Sequence, residues 1–103
     1  MSKIAVMAKL TAAEGKGPEL ESVLSKMLTT VEGEDGTLVY ALHRANDNAD
    51  VYWFYELYAD DAALATHSSS DAMKEMFGAL GGLLAGGAEL IVSTPVGGKG
   101  IDL

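Results

Sequence analysis

The sequence contains no cysteine among its 103 residues. Disulfide bonds, thiolate metal sites and cysteine nucleophiles are therefore excluded. Positive charge is also scarce: Arg44 is the only arginine, and the lysines and arginines total 7 against 15 aspartates and glutamates, a formal net charge of −8. Nucleic acids and anionic membrane surfaces both favour clustered Lys and Arg, so we expect neither as a partner.

Long apolar runs are missing as well. The amino end, 1–4, passes directly into an alternating pattern, and no stretch is long enough for a signal peptide or a membrane span. We therefore expect a cytoplasmic protein. The length and composition predict one globular domain over residues 1–103.

Motifs that hold cofactors are few. His67 and Asp71 have a helical spacing, but three serines at 68–70 interrupt that helix and no other histidine lies nearby, so a metal site is disfavoured. The glycine pairs near Gly82 and Gly98 lack the strand and helix that flank a phosphate-binding loop. We predict a protein without metal, flavin or haem.

The first half of the chain alternates between strand and helix patterns. Apolar residues at 4, 6, 8 and 10 predict a strand that ends at the breaker 15–18. Pro18 suits a first helical turn, and an apolar stripe with three-four spacing follows it: Leu20, Val23, Leu24, Met27, Leu28 and Val31. Two β-rich runs, 37–44 and 51–58, flank an Asn- and Asp-rich turn and predict a hairpin.

The second half predicts an interrupted helix and a last strand. Asp60 is a candidate N-cap for a short helix through His67, and Asp71 is a candidate cap for the next helix. Residues 90–92 begin a final strand, and the second helix carries an apolar stripe: Met73, Met76, Phe77, Leu80, Leu83 and Leu84. The βαββαβ order predicts an α+β, ferredoxin-like fold with both helical layers on one face of an antiparallel sheet.

The strand 51–58 is apolar on both sides. Trp53 and Tyr55 fall on one side, and Tyr52 and Phe54 fall on the other. A chain of this size has enough helix to cover one face only, so the second face predicts a partner subunit or a ligand.

Four segments carry a resemblance to a known family. They are the opening strand with its Gly-Pro loop, the stretch 36–44, the Tyr-Glu-Leu-Tyr strand end at 55–58, and Ala-Ala-Leu at 62–64 leading to His67. In these segments the chain resembles the antibiotic-biosynthesis monooxygenase family, small dimeric α+β barrel proteins related to quinol monooxygenases and haem-degrading enzymes. The resemblance implies a homodimer with its sheets face to face, and a pocket between each sheet and its helices.

The departures from that family limit what the resemblance implies. Many members carry a second histidine five positions after the first, where this chain has Ala72. The pocket Asn, Trp and His of the haem-degrading branch align with Ala8, His67 and Phe77, so haem degradation is disfavoured. Polar pocket residues of the cofactor-independent oxygenases are replaced here by Trp53, Leu57 and Ala63.

His67 is the candidate catalytic residue, because an imidazole exchanges protons near neutral pH; it could equally link its helix to a loop through a backbone hydrogen bond. Trp53, Tyr55 and Phe77 are the candidate substrate-binding residues, and core packing is the alternative for them. We expect these four side chains to converge between the sheet and the helices. For Glu56 we favour a structural role, paired with a cation or exposed to solvent.

Three classes of function remain open. The first is a cofactor-independent monooxygenase acting on a small electron-rich aromatic such as a quinol or a polyketide, in which the protein supplies a dry pocket, a base and orientation. The second is another enzyme on the same scaffold, such as an isomerase. The third is a non-catalytic dimeric protein that binds small ligands or serves in a stress response.

Overall fold

A computed structural model of the protein describes residues 2–103. Strands and helices follow one another in the predicted order. They are β1 (Ile4–Thr11), α1 (Gly17–Thr30), a 3₁₀ turn (Val31–Gly33), β2 (Thr37–Arg44), β3 (Val51–Tyr58), α2 (Asp61–Ser68), α3 (Asp71–Ala79) and β4 (Glu89–Ser93).

The strands form one four-stranded antiparallel sheet in the order β2-β3-β1-β4. β1 pairs with β3 on one side and with β4 on the other, and β2 and β3 form the predicted hairpin. Because α1 connects β1 to β2 while α2 and α3 connect β3 to β4, the architecture is the predicted ferredoxin-like α+β fold.

The helix α1 packs its apolar stripe against the sheet. Pro18 lies in its first turn, as predicted, where a missing backbone N–H costs nothing. Leu20 and Leu24 are 0% exposed and belong to one core cluster with Phe54 of β3 and Met73 of α3. Each such side chain contributes about 1.5–3 kcal/mol through burial.

Two helix caps divide the second helical region. The Asp60 carboxylate accepts a hydrogen bond from the Ala63 N–H at 2.8 Å, which confirms the predicted cap of α2. Ser70, and not Asp71, caps α3: its hydroxyl oxygen accepts from the Met73 N–H at 3.1 Å and donates to the His67 carbonyl at 2.9 Å. The predicted cap was therefore wrong by one residue, because the last serine of the interrupting run already occupies that position.

The orientation of β3 is opposite to the expected one. Tyr52 and Phe54 point toward the helices and join the core, at 2% and 3% exposure. Trp53 and Tyr55 therefore lie on the other face, where Trp53 is 37% exposed and Lys9 Nζ is 5.5 Å from its ring centroid. Both faces of this strand are aromatic, so alternation alone did not distinguish the inner face from the outer one.

Candidate functional site

A pocket of about 240 Å³ lies between the sheet and the helices α2 and α3. Its walls are mostly apolar, and it opens between α3 and β4, where Phe77, Leu90 and Val92 are 51%, 60% and 62% exposed. A dry apolar cavity of about 150 Å³ is enough to hold benzene. This pocket therefore has room for a small planar aromatic molecule. Its polar lining residues are Tyr40, Glu56, His67 and Ser68.

His67 is buried in the wall of this pocket, with 2% of its surface exposed. Its Nδ1 lies 2.8 Å from Oε1 of Glu34, and the same carboxylate oxygen accepts a hydrogen bond from the Thr37 hydroxyl at 2.7 Å. An ionised carboxylate only accepts hydrogen bonds, so this contact places the imidazole proton on Nδ1. The side chain is thus held by another side chain, and the alternative of a backbone link does not apply.

The second ring nitrogen of His67, Nε2, is buried and has no hydrogen-bond partner within residues 2–103. A buried nitrogen without a partner costs about 1–3 kcal/mol. With its proton on Nδ1, the ring presents a lone pair at Nε2. His67 therefore lines the pocket with a side chain whose Nε2 acceptor is free within the described residues.

The backbone before β2 passes close to α2, and this brings Glu34 to His67, which lies 33 residues later in the chain. Gly36 passes directly against α2: a Cβ added at Gly36 would lie 2.5 Å from the Cβ of Ala63, closer than packed carbon atoms can approach. Only glycine lets the segment before β2 lie this near the helix. The contact therefore holds the Glu34 loop next to the last turn of α2.

Two tyrosines flank the imidazole. The ring centroids of Tyr40 and Tyr58 lie 5.2 and 5.3 Å from that of His67. Burial raises the pKa of the Tyr40 hydroxyl, and the negative charges of Glu56 and Glu34 raise it further. Both effects disfavour a second anion there, so Tyr40 stays neutral and contributes a polarisable wall.

Glu56 lies in the second half of β3 and is 6% exposed. Its Oε1 accepts a hydrogen bond from the Tyr58 hydroxyl. Burial raises the pKa of this carboxyl, while the Tyr58 hydrogen bond and His67 act in the opposite direction. The interpretation of Glu56 as a residue paired with a cation or exposed to solvent was wrong, because its strand position faces the helices.

The structure brings together two of the four predicted site residues. His67 and Phe77 both line the pocket, whereas Trp53 and Tyr55 lie on the far face of the sheet. Sequence reasoning missed Tyr40 and Phe54, whose rings pack at a centroid distance of 4.7 Å beside the pocket. It also missed Glu34. The tyrosine could have been found from the alternation along β2, but no local pattern marked the glutamate.

Two further kinds of site were sought over residues 2–103. No group of three or more histidine, cysteine, aspartate or glutamate side chains is arranged to hold a metal ion there. Over the same residues, no helix combines the length and the hydrophobicity that crossing a bilayer requires.

Comparison with known proteins agrees with the fold. The sequence model of the antibiotic biosynthesis monooxygenase family matches residues 3–79. The chain belongs to this family. No curated protein matches the sequence.

Several solved structures are similar to this family member over nearly its whole length. A candidate antibiotic biosynthesis monooxygenase from Caulobacter crescentus is 33% identical, with a TM-score of 0.87 over 93% of this chain and 92% of its own. A protein of Mycobacterium tuberculosis is 26% identical, with a TM-score of 0.87 over 94% of this chain and 98% of its own. A Pseudomonas aeruginosa protein, 24% identical over 94% of this chain and 97% of its own, shares the fold with a TM-score of 0.87.

Proposed function

We propose that this protein is a monooxygenase that works without a bound cofactor on a small, electron-rich aromatic compound with a hydroxyl group, such as a quinol or a phenolic polyketide. The observation that supports this most is the buried imidazole of His67, which lines a mostly apolar pocket and whose Nε2 has no hydrogen-bond partner within residues 2–103. Membership of the family, and the similarity to the Caulobacter crescentus protein, point to the same class of reaction.

In this proposal His67 accepts the proton of the substrate hydroxyl at Nε2. Glu34, bonded to Nδ1, keeps the ring in one orientation and stabilises the imidazolium that forms. The substrate anion is then the reductant for dioxygen, and the apolar walls exclude water from it. One oxygen atom forms a bond to a ring carbon. The other leaves as water with two hydrogens of the substrate, so a four-electron oxidation of the substrate balances the four-electron reduction of dioxygen.

A second candidate is an isomerase on the same scaffold. It is favoured by the presence of two proton-exchanging side chains, His67 and Glu56, in one pocket. Such a pair can remove a proton from one atom of a ligand and return it to another. That reaction consumes no dioxygen, which separates it from the first candidate.

We propose in addition that the protein is a homodimer that pairs through the sheet face carrying Trp53. Ile91 of β4 lies on the same face and is 55% exposed, and Tyr55 there is half-buried. Exposed apolar side chains on one sheet face are typical of a protein interface. A second copy of the sheet would cover them.

The test is dioxygen uptake by the purified protein with a panel of quinols and anthrones, together with mass spectrometry of products formed under isotope-labelled dioxygen. We expect uptake with at least one compound and one labelled oxygen atom per product. The matched control is His67→Ala, which should bind the compound but turn it over slowly. Conversion without uptake would favour the isomerase, and binding without conversion would overturn both enzymatic candidates.

A further inference from the structure

The carboxyl group of Glu56 reaches the pocket from the side of the sheet, whereas His67 reaches it from α2. Glu56 pairs across the sheet with Val6 of β1 and with Tyr40 of β2, so it lies in the interior of the sheet. No lysine or arginine lines the pocket. The charge of this carboxyl group therefore has no cation beside it in the pocket.

Only one of the two carboxyl oxygens of Glu56 has a hydrogen-bond partner. The Tyr58 hydroxyl donates to Oε1, and within residues 2–103 Oε2 has no hydrogen-bond partner. Within the described residues, the fully buried side-chain atom without a partner is Nε2 of His67, so the unpartnered Oε2 of Glu56 keeps some accessible surface. A ligand in the pocket can supply that partner.

We infer that Glu56 is a specificity-determining residue, whose free carboxyl oxygen binds a second oxygen substituent of an aromatic ligand while the first hydroxyl meets Nε2 of His67. This inference rests on the proposed function and adds to it the substitution pattern of the ligand. The pocket then selects a planar ring with two oxygen substituents over the same ring with one.

The charges around the pocket narrow the ligand class further. Glu34 contacts the His67 ring and Glu56 lines the same pocket, so the imidazole has two carboxyl groups and two neutral tyrosines, Tyr40 and Tyr58, around it. A ligand with a carboxylate or a phosphate would meet these groups without a compensating cation, and like charges repel strongly in a buried site. A neutral ligand with hydroxyl groups, in contrast, can hydrogen-bond to both. Burial raises the pKa of Glu56, so this carboxyl can also donate a hydrogen bond, to a carbonyl oxygen.

The test compares a naphthol with the isomeric naphthalenediols in calorimetric binding under anaerobic conditions, where no turnover occurs. We expect at least one diol to bind the wild-type protein about tenfold more tightly than the naphthol, the effect of one additional hydrogen bond. Glu56→Leu should abolish this preference, since leucine fills similar space without a polar atom. Glu56→Gln, which keeps a hydrogen-bonding group, should retain part of it. Circular dichroism establishes that each variant is folded.

The inference is overturned if the naphthol and every diol bind the wild-type protein equally, a comparison that needs no variant. It is also overturned if folded Glu56→Leu keeps the diol preference. Failure of the proposed function appears separately, as absence of dioxygen uptake with compounds that bind. If none of these compounds binds, both proposals fail.

Discussion

Replacing Glu34 by alanine should destabilise the protein by about 1–3 kcal/mol, the cost of leaving a buried polar group without its partner. The carboxylate of Glu34 is the only partner of the His67 imidazole within residues 2–103, and the ring is 2% exposed. Without that carboxylate both ring nitrogens would be buried and unsatisfied. The Thr37 hydroxyl would lose its acceptor as well.

The free energy of unfolding is measured by urea denaturation. The comparison requires that its slope against urea concentration is the same in every variant. Glu32→Ala is the matched control, because it removes an equal charge from the same turn at an exposed position. That control should change stability by no more than about 0.5 kcal/mol. The free energy of unfolding of Glu34→Gln should fall between those of the two alanine variants, since the amide oxygen still accepts a hydrogen bond from Nδ1–H of His67.

Nitrogen NMR gives a second readout that general loss of stability would not change. The chain has only two histidines, and His43 is exposed, so its signals serve as an internal reference. His67 should show its proton on Nδ1 in the wild-type protein and a mixture of the two neutral forms in Glu34→Ala. Equal stability of Glu34→Ala and Glu32→Ala, or an unchanged His67 proton position, would refute the argument.

Three other predictions follow from the site and the sheet. His67→Ala should lower turnover by a factor of order 10² while the fold stays intact, which steady-state dioxygen uptake and circular dichroism would measure. Trp53→Glu should dissociate the homodimer in analytical ultracentrifugation, whereas Phe54→Glu should unfold the protein because Phe54 is 3% exposed in the core; a dimeric Trp53→Glu protein would contradict the proposed interface. Burial raises the pKa of the Glu56 carboxyl in the folded state above its ordinary value of 4.5, so this residue's contribution to stability is lost as the pH rises from 4.5 through the higher pKa of the folded state. Glu56→Gln should therefore lose less stability than the wild-type protein over that rise, and parallel pH profiles in urea denaturation would argue against a raised pKa.

Local sequence patterns were sufficient to predict the strands and most of the helix boundaries. The hairpin strands Thr37–Arg44 and Val51–Tyr58 have the predicted limits, because a polar turn separates two β-rich runs. Asp60 was predicted as a cap from its side chain and position alone, since capping depends on atoms three residues apart. The helix α3 is shorter than its apolar stripe suggested: it ends at Ala79, before Leu83 and Leu84.

The sequence by itself thus determined the order of elements, the ferredoxin-like fold and the family, all of which rest on periodicity and short motifs. Only the tertiary structure decided which face of β3 meets the helices, because aromatic residues on both faces satisfy the same alternation. It also decided the chemistry of the pocket. Glu34 and His67 meet across 33 residues through the close approach at Gly36, and Glu56 is buried by the packing of α2 and α3 over the sheet. Contacts of this kind depend on how separate elements pack, and neither hydrophobic spacing nor residue type encodes that packing locally.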